Sequence, residues 1–337
     1  MMSLISYQSL LSEIKQTIQQ ARLTAMLAVN AEMILLYWQT GKIIAQRQDQ
    51  EGWSAKVIPR LAQDLKSEFS DLKGYSERNL GRMLAFYKEY PDKSILPQAV
   101  AKLPWSHNIL LMEKIKDRKT RFWYMQKCID NGWSRDILAT QIKHQLHLRE
   151  GKAVSNFAQT LPPLVSDLAQ QTLKDPYIFD FVSLDEPYRE RDVENQLVAY
   201  VSKFLLELGK GFAFVGQQYH LKVANNDYYI DLLFYHIRLK CYVVIELKNT
   251  AFQPEFTGKL NYYLSAVDSL VKMPEDNPTI GLLLCKEKNN IDVEFALRNI
   301  NSPIGVSEYL LTKQLPDNLK SSLPTIEEIE TQLLDNL

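Results

Sequence analysis

Two apolar runs in the second half of the chain are interrupted by charge. Tyr242-Val243-Val244-Ile245 leads into Glu246-Leu247-Lys248, and Tyr229-Ile230 leads into Asp231 before Leu232-Leu233-Phe234. Alternation along a strand sets Glu246 and Lys248 on one face. A carboxylate inside an apolar run is costly to bury unpaired. If the two runs form a hairpin whose loop centres on Arg238-Leu239, Asp231 stands opposite Glu246. Opposed side chains lie ~4.5–5.5 Å apart at Cβ, so two carboxylates there repel each other or share a hard cation. Mg²⁺ suits such a pair, its other positions taken by a carbonyl, water and a phosphate oxygen. Mn²⁺ is the expected substitute.

The elements that position these groups follow from periodicity. A helix over Asp192–Leu208 has Leu197, Val198, Val201, Phe204, Leu205 and Leu208 as its buried stripe, and Glu194 lies on that stripe. Glu194 is the preferred further carboxylate, with Glu190 one turn earlier as the alternative. Strands are expected near Phe212–Val223, Tyr228–Tyr235, Cys241–Leu247 and Thr279–Cys285. A helix over Pro254–Leu270 makes the crossover between the last two. A short helix near Asp292–Arg298 precedes an acidic tail. The expected architecture is an α/β sandwich around a central mixed sheet. Each charged residue alone has a structural reading as an exposed ion pair, a turn cap or a helix-start preference. Their convergence on one end of one sheet outweighs those readings.

The first half is patterned differently. Apolar residues recur at three and four residue spacing up to about Glu150, which predicts an all-α domain. Gly52-Trp53-Ser54, Gly74-Tyr75-Ser76 and Gly132-Trp133-Ser134 repeat one helix-start device: a turn glycine, a staple aromatic and a capping serine. The helix after Ser76 buries Leu80, Met83, Leu84 and Tyr87 and leaves Arg78, Asn79, Arg82 and Lys88 to solvent. That is compatible with a helix-turn-helix or winged-helix DNA reader, or with a scaffold or oligomerisation module. The weakened periodicity after Gly151 and the Leu161-Pro162-Pro163 break set the domains at 1–150 and 175–337, with 151–174 as linker.

Bulk properties fit this division. The chain has 337 residues, 46% of them hydrophobic and 23% charged, as in folded globular proteins. Its net charge of −1 divides into an excess of cations before residue 160 and of anions after it, an asymmetry that favours a phosphate-approaching half and a cation-holding half. No signal peptide or membrane span is read, and the protein is expected in the cytosol. Cys128, Cys241 and Cys285 form no C-x-x-C pair and are expected as reduced structural thiols. His220 and His236 lack metal-site spacing and are read as structural.

The order Glu194, Asp231, Glu246-Leu247-Lys248 resembles the PD-(D/E)XK nuclease superfamily with its restriction-endonuclease-like fold. Longer stretches narrow the resemblance. Phe214-Val215-Gly216-Gln217-Gln218, Tyr229 to His236, Tyr242 to Lys248, Gly258 to Leu264 and Thr279 to Lys288 are similar to the bacterial YhcG-like family. Leu36-Tyr37-Trp38 and the first two Gly-aromatic-Ser stretches resemble its helical domain. The resemblance implies a metal-dependent phosphodiesterase in which Asp231, Glu246 and the Leu247 carbonyl ligate Mg²⁺, and Glu194 is a further acid. Lys248 would orient or deprotonate the attacking water. Where the family usually has Gln in its Gly-x-Leu-Asn helix, this chain has Lys259, with Tyr263 one turn on. Gln217, Gln218, Lys259 and Tyr263 are candidate substrate contacts, as are Arg78, Asn79 and Arg82. DNA is the expected substrate and endonucleolytic cleavage is favoured. The alternative is an inactive DNA-binding or scaffolding protein that keeps the fold.

Overall fold

The computed structural model describes residues 4–51, 57–69, 73–92, 94, 100–185 and 187–311. The Gly52-Trp53-Ser54 device and the acidic tail lie outside the described residues. The chain divides into two compact units, Met1–Ile142 and Lys143–Leu337.

The first unit is helical, and among its described residues there is no strand to serve as a wing. It begins with α1 (Leu4–Glu51), which runs for 48 residues. Then follow α2 (Val57–Glu68), α3 (Glu77–Glu89), α4 (Trp105–Lys114), α5 (Arg118–Asn131) and α6 (Arg135–Lys143). The second half of α1 presents Tyr37 and Ile44 to Leu80 and Met83 of α3. The helices meet at Gly41, where an added Cβ would stand 2.0 Å from the Met83 carbonyl oxygen, so a side chain would force them apart. Ser76 caps α3 by accepting from the Asn79 N–H at 3.3 Å, and Ser134 Oγ accepts from Ile137 N at 3.3 Å. Gly132 adopts φ 65° where α5 ends, so this glycine closes one helix before the serine opens the next.

The second unit opens with α7 (Leu146–Arg149), β1 (Val154–Ser155), α8 (Phe157–Thr160), α9 (Pro163–Thr172) and β2 (Tyr177–Phe179). The expected linker is therefore folded. Phe157, Leu161, Ala169 and Leu173 enter the core, and Pro163 starts α9 at a position where a missing N–H costs nothing. The expected helix over 192–208 is two, α10 (Glu190–Ala199) and α11 (Val201–Leu208), broken at Tyr200. Next come β3 (Phe212–Val223), β4 (Asn226–His236), β5 (Cys241–Ala251), α12 (Glu255–Leu270), β6 (Ile280–Glu287), α13 (Asn290–Leu297) and β7 (Ile304–Leu311). The last strand was not expected.

These strands form one mixed sheet in the order β1-β7-β6-β5-β4-β3, with β2 also on β7. The β3-β4-β5 meander is antiparallel, whereas β5, β6 and β7 run parallel through crossovers. One face buries Val193, Leu197, Phe204 and Leu208 of α10 and α11 against Leu232, Val243 and Ile245. The other buries Leu260, Leu264 and Val267 of α12 and Val293 and Leu297 of α13 against Leu233, Val244 and Leu283. Apolar residues thus alternate between two cores along β5 until Glu246 interrupts the pattern.

Candidate active site

The β4-β5 hairpin has the expected register. Leu232 pairs with Ile245, Phe234 with Val243 and His236 with Cys241. That register continued by one step would oppose Asp231 and Glu246, but the ladder stops at Leu232. On the β3 side, pairing runs through Gln217–Leu232 and resumes at Tyr219–Ile230, so Asp231 falls in a gap on both edges. Its groups go elsewhere. Its carboxylate accepts the Leu247 N–H at 3.0 Å, and its own N–H points at Glu246 Oε1 at 3.4 Å. A local break in the sheet thereby brings the two acids together.

Gln218 sits across from Asp231 with φ 47°, a left-handed backbone unusual for a residue inside a strand. That conformation aims its amide at two acids. Nε2 donates to Glu194 Oε2 at 2.8 Å and to Asp231 Oδ1 at 3.4 Å. Gln217 donates to Asn195 Oδ1 at 2.8 Å, and its amide also favours the charged form of Glu194. Glu194 is buried on α10, and its Oε1 has no hydrogen-bond partner.

Glu190, the first residue of α10, serves a different group. Its carboxylate takes Lys248 Nζ at 3.0 Å and the Asn249 N–H at 3.2 Å. Lys248 Nζ also donates to the Leu247 carbonyl at 2.7 Å and lies 4.0 Å from Glu246 Oε2. Across the site, α12 brings Lys259 Nζ to 2.9 Å from Glu246 Oε2. The buried Tyr263 ring lies 5.1 Å from that ammonium and lines its approach. Sequence reasoning missed Asn249 and Tyr188. The Asn249 amide donates to the Tyr188 carbonyl and ties the end of β5 to the segment before α10. No spacing signal marks either residue.

Electrostatics sharpen this picture. Burial, then the neighbouring Asp231, pushes Glu246 up to about 7, despite two nearby ammonium groups. Burial likewise raises Asp231, partly offset by the Leu247 N–H, and burial raises Glu194 against the pull of the glutamine amides. Lys259 is held further toward its charged form by Glu246, which outweighs its own desolvation. Two buried carboxylates, Glu194 and Glu246, and the half-buried Asp231 thus share two ammonium groups, and one Glu194 oxygen has no hydrogen-bond partner. Among the described residues no group of three or more His, Cys, Asp and Glu makes a ready cage. The groups that could hold a cation here are the Asp231 and Glu246 carboxylates and the Leu247 carbonyl, with Glu194 behind Gln218. All are hard oxygens, and a divalent cation such as Mg²⁺ fits them while neutralising the repulsion.

Comparisons with known proteins give the family of the chain. Residues 170–324 match the YhcG PDDEXK nuclease domain, and residues 13–149 match the DUF1016 N-terminal domain. A protein of Escherichia coli (strain K12) described as "Putative nuclease YhcG" is 30% identical over 362 residues, covering 96% of this chain and 96% of that one. The chain belongs to the YhcG family of PDDEXK nucleases. Among solved structures, the crystal structure of a repair endonuclease from Pyrococcus abyssi aligns with a TM-score of 0.26 at 12% identity. It covers 38% of this chain and 48% of that one, a likeness too slight to add to the argument.

The other candidate residues of this YhcG-family chain lie in the first unit, where the geometry is less permissive. The Asn79 amide donates to the Gly74 carbonyl, and its oxygen accepts from Trp105 Nε1 at 2.7 Å. Arg82 is held by Glu113 at 2.7 Å. Both hold partners within the first unit in the free protein. Arg78 is exposed. Trp38 and Trp105 pack in helix interfaces, and the three cysteines are free and buried. His236 is buried, and desolvation lowers its pKa to about 4. His220 pairs with Asp227 at 2.6 Å. No helix among the described residues is long and apolar enough to cross a membrane.

Proposed function

We propose that this protein is a divalent-metal-dependent deoxyribonuclease, cutting within DNA, whose chemistry is set by Asp231, Glu246, Lys248 and Glu194. The observation that carries the proposal is the gathering of Glu194, Asp231 and Glu246, each raised by burial, with one Glu194 oxygen unpartnered and an ammonium on the same strand as Glu246. Structural acids are held by completed partners, whereas Glu246 stays raised despite two ammonium groups and Glu194 keeps an oxygen without a partner. When bound, Mg²⁺ or Mn²⁺ would polarise the scissile phosphate and acidify an attacking water. Asp231, Glu246 and the Leu247 carbonyl would hold that ion, with Glu194 completing the set. Lys248, fixed by Glu190, orients the water or takes its proton, and its charge stabilises the anionic phosphoryl oxygens. Lys259, on Glu246 without DNA, can turn to a phosphate once the ion satisfies that carboxylate, and Gln218 holds Glu194 and Asp231 at their separation. The first unit, with its excess of cations, would hold the substrate. Free buried thiols suit the cytosol, where such a substrate lies.

The test is cleavage of labelled single-stranded, duplex, flapped and branched DNA and of a closed circle, with Mg²⁺, Mn²⁺ or EDTA. Wild type is compared with Asp231→Ala. Cleavage that needs metal and disappears in the variant is expected, and opening of the closed circle identifies an endonuclease. Tight DNA binding without cleavage under either metal would make the protein a binding factor on a nuclease fold.

A further inference from the structure

The long first helix carries a surface that the unit does not use. α1 docks on its neighbours only from about Asn30 onward, where the Asn30 amide donates to the Ala101 carbonyl at 2.9 Å and the Leu103 carbonyl at 3.1 Å. Before that point every residue whose burial is described is exposed. Tyr7, Leu11, Ile14 and Ile18 are 56%, 36%, 47% and 48% exposed, and Ala21, Ala25 and Ala28 continue their row. The spacing alternates four and three throughout. Helix that contacts nothing is marginal in water, so this stretch needs a partner for its apolar face.

We propose that this segment forms a parallel two-stranded coiled coil with α1 of a second copy of the chain. A row that repeats every ~3.5 residues is followed along its length only by another helix of the same pitch. In heptad terms Leu11, Ile18 and Ala25 are a positions, and Tyr7, Ile14, Ala21 and Ala28 are d positions. None of the seven is charged.

The flanks fix the direction. Lys15 and Arg22 occupy e positions, and Leu10, Thr17 and Thr24 occupy g positions. Thr17 Oγ1 and Thr24 Oγ1 each donate to the carbonyl four residues back, at 2.9 Å, which satisfies the hydroxyls locally and leaves an apolar flank. An antiparallel pair would set Lys15 and Arg22 against their counterparts. A parallel pair lays their aliphatic stems over Leu10 and Thr17 of the other copy and keeps the charges in water.

The chain's own C-terminus is the competing occupant, since Ile326, Ile329 and Leu333 are interleaved with Glu327, Glu328 and Glu330. The second copy matches the row over its whole length.

Sedimentation equilibrium of the full chain tests the proposal. Wild type is expected at twice the 39.0 kDa chain mass. Leu11→Asp with Ile18→Asp is expected to weaken self-association at least ~100-fold while circular dichroism shows the units still folded, because both residues are already solvent-facing in the single chain. Ile14→Cys should cross-link on mild oxidation, as in-register d positions do in a parallel pair, and Gln20→Cys on the outer face should not. A wild type at 39.0 kDa overturns the proposal, as does a dimer that survives the double substitution or cross-links equally from both positions. A monomeric wild type that dimerises once the chain ends at Pro324 assigns the row to the C-terminus and overturns it too.

Discussion

Asn79 and Arg82 on α3, and Glu194 and Asp231 at the end of the sheet, are both sets of polar residues that spacing singles out. Their surroundings differ. Asn79 spans the Gly74 carbonyl and the Trp105 indole, and Arg82 has its carboxylate in Glu113. At the sheet end Asp231 has left the ladder on both sides, Gln218 is held at positive φ to reach it, and Glu194 keeps one oxygen without a partner. A polar residue whose partners are complete supports the fold. One held in an uncompensated, strained setting is poised for a ligand.

Lys248→Ala gives the widest separation of the two regions. It should lower DNA cleavage by ~10²–10⁴-fold with little change in DNA binding, measured as single-turnover rate against affinity. Equal loss in rate and binding would reduce Lys248 to an electrostatic contact. Gln218→Ala should cost ~10–100-fold in metal affinity or rate, by freeing Glu194 and Asp231 from their common donor. Calorimetric titration of Mg²⁺ or Mn²⁺ reads this directly, and unchanged affinity would mean that the bent backbone at Gln218 serves the sheet alone.

Glu246→Gln tests the same strain without catalysis. Because Glu246 is raised from 4.5 to about 7, the folded state retains a proton that the unfolded chain releases. Its effect on metal-free stability is therefore absent at acid pH and grows as a penalty while pH rises through that window, reaching its full size above about 7. The glutamine variant should be more stable than wild type by ~1–3 kcal/mol in metal-free alkaline urea unfolding, and the gap should close on acidification. Divalent metal should stabilise wild type more than the variant. A variant less stable than wild type at alkaline pH would show that the Lys259 ion pair outweighs the repulsion.

How much of this was legible in sequence depended on how local its causes are. Glu246 and Lys248 stood out because charge is rare in an apolar strand, and the hairpin loop fixed their register with Asp231. The partition between Glu194 and Glu190 was not legible. It depends on how the first turn of α10 meets the end of β5, where Glu190 takes Lys248 and Glu194 takes Gln218. β7 escaped notice because Gly305, Ser307 and Glu308 dilute its apolar run, although Ser307 is fully buried in the sheet. Pro162-Pro163 reads as a break, yet a proline pair also starts a helix, and only the burial of Ala169 and Leu173 decides between the two. On α3 the buried Leu80 and Met83 follow the predicted stripe. The partners of Asn79 and Arg82 arrive from Trp105 and Glu113, too far along the chain for periodicity to announce.

The smallest expected effects lie on α3 and test the comparison from its other side. Arg82 and Glu113 are both partly exposed, so a double-mutant cycle should give a coupling of only ~0.2–1 kcal/mol in folding stability. Arg82→Ala should leave DNA affinity and its salt dependence unchanged, because Glu113 already holds the guanidinium. Arg78 is an exposed cation on the same helix, as is Lys88. If α3 lies against DNA, Arg78→Ala should weaken binding uniformly across sequences and reduce the salt slope by about one phosphate contact. Should both substitutions be silent, the start and middle of α3 pack rather than read, and the first unit meets DNA elsewhere or not at all. Should Arg82→Ala instead reduce the slope as Arg78→Ala does, the Glu113 pair must open on binding. Satisfied partners in the free protein would then no longer separate a structural residue from a functional one.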